Sequence, residues 1–450
     1  MTPNGTNGTN DTNGVHKNAF NLETCARPNI LALEPYRCAR DDYKDDGTNV
    51  LLDANENAFG PGIALEGSGK LRNGFYGAEQ NIEVDFNCLN RYPDPHQTEL
   101  KQLLANLRNT NHHTTKKITP YNLFVGVGSD EAIDALMRAF CAPGRDKILT
   151  CPPTYGMYSV SAAINNVGIV KVPLLSDQDF ALDAAGINEV LSGPEGSLIK
   201  LVYICSPGNP TGALVSKESV EAVLNHPTWN GVVVVDEAYV DFAEPKASFA
   251  QWVTEWPNLV VMQTLSKAFG LAGIRLGAAF TSAPIARLLN SLKAPYNISN
   301  PTSEIARQAL SPRHLAIMKK KRAKIIVQRD RLLNELPKIP GVGRFLGGRD
   351  ANFLLVEMLD KPAEEGGKPD NGVALKVYES LAEQQGVVVR FRGKELGCNG
   401  CLRVTVGTEE EVSRFLTALR LVLDNIYNGK TLVNGSAQEK PQVQANGVVA

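Results

Sequence analysis

Residues 231–267 read GVVVVDEAYVDFAEPKASFAQWVTEWPNLVVMQTLSK, and the fold turns on them. Two apolar runs, 231–235 and 259–263, carry almost no internal polar side chain and stand a helical length apart. A third, LVYIC at 201–205, precedes them. Unbroken apolar strands alternating with helical stretches belong to a mostly parallel sheet covered on both faces, because a solvated face would interleave polar residues. Ligands of such sheets bind beyond the carboxyl ends of the strands, so the residues just after each run are the candidates for chemistry.

A chain of 450 residues exceeds the size at which one core stops growing, so a large and a small lobe are expected. With 43% hydrophobic and 21% charged residues and a net charge of -2, it has the composition of a soluble protein and no field to draw nucleic acid or an anionic membrane. Small molecules are the expected partners. The apolar runs fall far short of the ~20 residues a membrane helix needs. No signal or transit peptide is recognisable, and a cytoplasmic location is expected.

Eight cysteines lack framework spacing and suit a reducing compartment. Cys398 and Cys401 form a C-x-x-C, but a zinc or redox role needs a second pair or a βαβ context, and no metal site is expected. Asn4, Asn7 and Asn10 begin N-x-T sequons in what reads as a polar tail.

The expected organisation is a disordered tail at 1–20, an arm with a Gly/Asn-rich loop insertion (60–90) at 21–90, a large domain at 91–300, a small α+β domain at 301–427, and a second disordered tail at 428–450. Within the small domain, long charged helices come first. Strands at 352–356, 387–390 and 402–406 and a helix near 373–384 follow. The basic stretch 319–324 reads as a solvated helix face, since no aromatic residues interleave it.

Five local features can carry chemistry. Lys267 follows the 259–263 strand among small and apolar neighbours, where a lowered pKa makes an amine nucleophile toward an aldehyde; Arg275, eight residues on, suits phosphate. Taken alone, Lys267 also fits a surface lysine. Asp236 ends the 231–235 strand and can pair with a protonated pyridine nitrogen, with Tyr239 able to reach a ring oxygen, although a strand-end Asp can equally cap a helix or bind Mg²⁺. In CSPGNPTG (205–212), Asn209 can donate its amide to an oxyanion, or the segment is simply a turn. GVGSDE (126–131) opens a helix whose free N–H groups suit a phosphate, with Ser129 alternatively a cap. Tyr155 can stack on a flat ring or belong to the core.

In order along the chain, LDANENAFGP, RYPDP, GVGSDEAID, CPPTYGMY, CSPGNPTG, VVVDEAYVDF, TLSKAFGLAGIRLG and CLRVTVGT resemble the fold-type I aminotransferases, specifically the histidinol-phosphate aminotransferase family, over about residues 30–425. The resemblance implies an α/β large domain with a mostly parallel central sheet, a smaller α+β domain and pyridoxal 5'-phosphate as cofactor. It implies transamination of L-histidinol phosphate with 2-oxoglutarate in L-histidine biosynthesis. Lys267 is then the Schiff-base lysine that moves the proton, Asp236 holds the pyridine nitrogen, Asn209 and Tyr239 hold the ring oxygen, and Tyr155 stacks on the ring. Ser129, Asp130, Ser266 and Arg275 surround the phosphate. Tyr92 reaches the neighbouring subunit's cofactor, which implies a homodimer with shared sites. Arg403, Arg390 and Asn55 are implied substrate ligands, Arg403 as the α-carboxylate clamp and Arg390 as a distal anion reader.

Asn57 stands where some members carry a tyrosine that binds substrate phosphate. Alternative readings with the same cofactor are an aminotransferase for aromatic amino acids and a decarboxylase of a phosphorylated amino acid. A non-catalytic relative would be expected to lack at least one of Lys267, Asp236, Tyr239, Asn209, Arg275 and Arg403, and all are present. The wild-type protein is expected to show a visible absorption band that Lys267→Ala abolishes, and half-reactions with both glutamate and histidinol phosphate. A normal band and full turnover in that variant would refute the assignment.

Overall fold

The computed structural model describes residues 26–33, 43, 47–64 and 89–428. The tail at 1–20 with its sequons, the tail from 429 onward, and most of the 60–90 insertion lie outside these residues. The chain has two units, Met1–Pro35 and Tyr36–Ala450. The first contains the one-turn helix Pro28–Leu31, and among the described residues the strands lie in the second.

In chain order the strands are β1 (Val50–Leu51), β2 (Leu123–Val127), β3 (Lys147–Thr150), β4 (Gly168–Lys171), β5 (Ile199–Cys205), β6 (Val232–Asp236), β7 (Leu259–Thr264), β8 (Leu276–Thr281), β9 (Val342–Leu346), β10 (Phe353–Met358), β11 (Val387–Val388), β12 (Arg390–Phe391) and β13 (Cys401–Thr405). A seven-stranded sheet runs in the order β2-β8-β7-β6-β5-β3-β4, and a four-stranded one in the order β12-β13-β10-β9. The large sheet is parallel from β4 through β7. Only β8 runs against its neighbours, β7 and β2.

The apolar runs become the central strands because each alternate residue enters a different core. Val233 and Val235 pack with Val202, Ile204 and Val261 on one face. Val232 and Val234 pack with Leu201, Tyr203, Val260 and Met262 on the other. The second face is covered by Ala132, Ile133 and Leu136 of the helix Gly128–Phe140 and by Tyr158 and Ala162 of the helix Met157–Asn165. A strand buried on both sides needs no polar alternation, which is why 231–235 and 259–263 read as continuous runs.

In the small sheet the sequence reading needs one correction. The single strand expected at 387–390 is two pieces: β11 pairs in parallel with β1, and β12 pairs with β13. One residue between them redirects the chain from one ladder to another, a change that periodicity does not register. The basic stretch 319–324 lies on the 24-residue helix Pro312–Glu335. Lys321 there donates to the Pro61 carbonyl at 2.5 Å and Arg322 to that of Asp241 at 3.1 Å, so the stretch is not wholly a solvated face.

Gly277 sits opposite both Gly126 and Thr264 in the ladder. A Cβ there would meet the Gly128 carbonyl carbon and the Ser129 nitrogen at 2.4 Å. This close approach lets β8 pass beneath the first turn of the helix Gly128–Phe140. Gly277→Ala is expected to destabilise the protein by about 1–3 kcal/mol, the usual range for overpacking, in denaturant unfolding.

Candidate active site

Because β2, β3, β5, β6 and β7 share one direction, their carboxyl ends lie along one edge of the sheet. Val127, Thr150, Cys205, Asp236 and Thr264 terminate them there. β8 runs the other way, so its beginning lies on the same edge, and Arg275, the residue before it, is delivered there from the opposite direction.

A cavity of about 250 Å³ opens at this edge. Of the candidate residues, Ser129, Asp130, Tyr155, Asn209, Asp236, Tyr239, Ser266, Lys267 and Arg275 line it, joined by Ala54, Glu56 and Cys205, which the sequence reading did not assign.

Lys267 donates to the Ala54 carbonyl at 3.1 Å and lies 5.8 Å from the centroid of the Tyr239 ring. Burial, followed by the nearby Arg403 and Arg275 cations, brings its amine down to about 8 against the pull of Glu56 and Asp130. A usable fraction of free amine is therefore present near neutral pH.

Asp236 continues the alternation of Val232 and Val234 and so points into the core beneath the helix Met157–Asn165. Tyr158 donates to its Oδ2 at 2.7 Å and the Ala238 N–H to its Oδ1 at 3.2 Å. Burial nevertheless raises the carboxyl from 3.8 to about 6. Tyr158 was not singled out from the sequence, where only Tyr155 of CPPTYGMY was. The signal was a second tyrosine three residues on, close in space once the helix begins at Met157. Tyr158 is fully buried, stacked on Tyr203 at 4.7 Å and edge-on to Tyr155 at 5.7 Å.

On the other flank, the helix Gly128–Phe140 has no side-chain cap, and its N-cap position is Val127. Ser129 lies inside the first turn rather than capping it. Arg275, at φ 51, offers its carbonyl to the Gly128 N–H at 3.1 Å and its Nη2 to Asp130 at 3.4 Å, while the Tyr155 hydroxyl meets Asp130 at 3.2 Å. Ser266 Oγ accepts from Thr264 Oγ1 at 2.9 Å. Free helical N–H groups, a guanidinium and a hydroxyl together form an anion site.

Arg403, in β13, reaches across from the small sheet. Its Nη1 donates to Asn209 Oδ1 at 2.7 Å and its Nη2 to the Asp53 carbonyl. Burial first, then Arg392 and Arg390, work against its charge. Asn209 therefore presents its amide nitrogen away from Arg403.

Arg403 and three further candidates do not line the cavity. Tyr92 is 80% exposed and stacked on Tyr296 at 4.6 Å. Arg390 lies half-buried in β12, directly opposite Arg403 in the ladder. Asn55 is buried, with its amide between Tyr239 and Thr405. Cys398 and Cys401 are buried free thiols that pack with Phe180 and Leu355. Among the described residues no group of three His, Cys, Asp or Glu could hold a metal, and no helix is long and apolar enough to cross a membrane.

An amine, a buried carboxylate and an anion site around one cavity fit a flat, phosphorylated heteroaromatic aldehyde. The amine suits the aldehyde, the carboxylate a ring nitrogen and the anion site the phosphate.

The family described as aminotransferase class I and II matches residues 66–419. The histidinol-phosphate aminotransferase of Schizosaccharomyces pombe is 53% identical over 411 residues, covering 91% of this chain and 100% of that one. That of Saccharomyces cerevisiae is 47% identical over 417 residues, covering 91% and 99%. Among solved structures, histidinol-phosphate aminotransferase from Sinorhizobium meliloti in complex with pyridoxal-5'-phosphate matches with a TM-score of 0.73 at 22% identity, covering 90% of this chain and 98% of that one. An aspartate aminotransferase double mutant from Thermus thermophilus matches with a TM-score of 0.68 at 20% identity, covering 88% and 99%. These two likenesses concern the fold.

The raised Asp236 carboxyl has a measurable consequence. An acid with a raised folded-state pKa binds its proton more tightly folded than unfolded, so stability is lost as pH rises from about 4 to about 6. In the cofactor-free protein, Asp236→Asn is expected to add about 1–3 kcal/mol at pH 7 and almost nothing at pH 4, read by denaturant unfolding at both.

Proposed function

The chain belongs to the class I and II aminotransferases, within them to the histidinol-phosphate aminotransferases, and from that premise we propose that it moves the amino group of L-histidinol phosphate to 2-oxoglutarate. The products are imidazole-acetol phosphate and L-glutamate, and the reaction belongs to L-histidine biosynthesis. The observation that carries this reading is that one cavity at the sheet edge brings Lys267 and Asp236 together beside a helix start without a side-chain cap from its N-cap residue. The relatives named above favour neither an aromatic aminotransferase nor a decarboxylase.

Pyridoxal phosphate, when bound, supplies an electron sink whose protonated pyridine ring accepts the charge left at the substrate's α-carbon. Lys267 would hold its aldehyde carbon, and its Nζ would carry the proton to and from the substrate's α-carbon. Its lowered pKa suits an amine that must accept and release a proton near neutrality. Asp236 keeps the ring nitrogen protonated, and pairing with that cation compensates the cost of burying the carboxylate. Tyr239 and Asn209 hold the ring oxygen, and Tyr155 covers the ring. Ser129 and Asp130 through their N–H groups, with Ser266 and Arg275, hold the phosphate.

The two amino donors differ: histidinol phosphate carries a phosphate and no carboxylate, whereas glutamate carries two carboxylates. Arg403 is proposed to take glutamate's α-carboxylate and Arg390 to read the distal anion. Tyr92, exposed and stacked on Tyr296, is proposed to reach the cofactor phosphate of a partner subunit, making the enzyme a homodimer with shared sites. A cytoplasmic location is part of the same proposal.

Single-turnover spectra test the reading. Histidinol phosphate and glutamate are expected to bleach the visible band, and phenylalanine to do so about 10⁴-fold more slowly, the scale on which a site built to hydrogen-bond polar groups rejects a ligand lacking them. A phenylalanine rate equal to that of histidinol phosphate would overturn it. Arg403→Lys keeps the charge but loses the fork, and is expected to raise the KM for glutamate about 10- to 100-fold with the visible band retained.

A further inference from the structure

Asn55, read from the sequence as a substrate ligand, has its side chain engaged elsewhere. It adopts φ 54, a left-handed conformation that asparagine tolerates, and is 1% exposed. Its Nδ2 donates to the Tyr239 hydroxyl oxygen at 2.9 Å, and its Oδ1 accepts from the Thr405 hydroxyl at 3.0 Å. Its own N–H donates back to Thr405 Oγ1 at 3.1 Å, and Asn352 Nδ2 donates to its carbonyl at 3.1 Å.

Thr405 decides which way round the amide sits. Its hydroxyl belongs to a residue 2% exposed and, among the described residues, has Asn55 Oδ1 as its acceptor. Turning the amide over would put an NH₂ against that hydroxyl and leave a buried proton unpaired, which folded proteins avoid. The Tyr239 oxygen is therefore an acceptor toward Asn55, and its one proton must point elsewhere. No acceptor for it is present among the described residues, and Tyr239 lines the cavity.

We infer that Asn55, pinned by Thr405, is a positioning residue that forces the Tyr239 proton into the cavity, where it donates to the ring oxygen of the cofactor. The inference rests on pyridoxal phosphate occupying the cavity as proposed above. The charged and titratable groups facing Tyr239 are Arg403 from β13, Cys205 from β5 and Asp236 from β6, with the Lys267 amine 5.8 Å from its ring centroid. Burial leads these influences and pushes the hydroxyl up to about 12, so the proton stays on it across the working range. Thr405 lies two residues beyond Arg403 on the same strand, so one strand carries both the proposed carboxylate clamp and the pin.

The test is a pH titration of the visible band in the cofactor-loaded wild type, Asn55→Gly, Tyr239→Phe and the double variant. Glycine is chosen because it accepts the positive φ without strain. A proton donated to the ring oxygen stabilises the negatively charged, deprotonated form of the titrating group, so its loss raises the apparent pKa. Each single variant is expected to shift the titration up by about one pH unit, the scale of one hydrogen bond to a charged acceptor, and the double variant to match Tyr239→Phe alone. Additive shifts, or an unshifted titration in a folded and loaded Asn55→Gly, would overturn the inference. If Asn55→Gly does not fold or load, Thr405→Val decides: it frees the amide to turn, so an upward shift supports the inference and an unchanged titration refutes it. A wild type with no visible band would overturn the cofactor reading and this inference with it.

Discussion

Burial of ionisable groups at the carboxyl edge of the large sheet is the constraint on which the rest of the site depends. Asp236 is 2% exposed and cannot turn to water, so its proton affinity rises and it favours a cationic partner. The same burial lowers the Lys267 amine. One cause pushes an acid up and a base down toward each other, and both end near neutral pH, where proton transfer is least costly. The cost is borne by the two cores on either side, whose unbroken valine and isoleucine packing holds the strand ends in place.

Around these two groups, the hydrogen bonds of the cavity wall join residues far apart in the chain. Arg403 from the small sheet holds Asn209 after β5. Asn55 from the N-terminal segment holds Tyr239 after β6, and Thr405 holds Asn55. These contacts are buried, so a missing partner would be costly, and that cost fixes which atoms face inward. The wall is thus oriented by the polar accounting of its own interior.

Much of the site is legible in the amino-acid sequence. Lys267, Asp236, Asn209 and the helix opening at Gly128 each follow an apolar run, and a parallel sheet places such positions together whatever the loops between them do. Arg275 is legible by its charge, its spacing from Lys267 and the motif it stands in, but its delivery from the opposite side depends on β8 being antiparallel, which composition does not encode. Tyr158 was missed because a tyrosine in an apolar helix looks like core. It is core, and its hydroxyl happens to end at Asp236. The split of 387–390 into β11 and β12 was missed because a change of partner strand leaves the apolar pattern intact.

Local periodicity and side-chain chemistry are enough to set the alternation of elements, the burial of the central strands and the kinds of chemical group waiting at their ends. The tertiary structure alone decided which of those groups face the cavity and with what polarity. Asn55 shows the difference: the family resemblance implies a substrate ligand there, but its amide direction depends on Thr405, 350 residues away in the chain. Hydrogen-bond direction is set by the last unsatisfied partner in a buried network, and that partner is brought in only by folding.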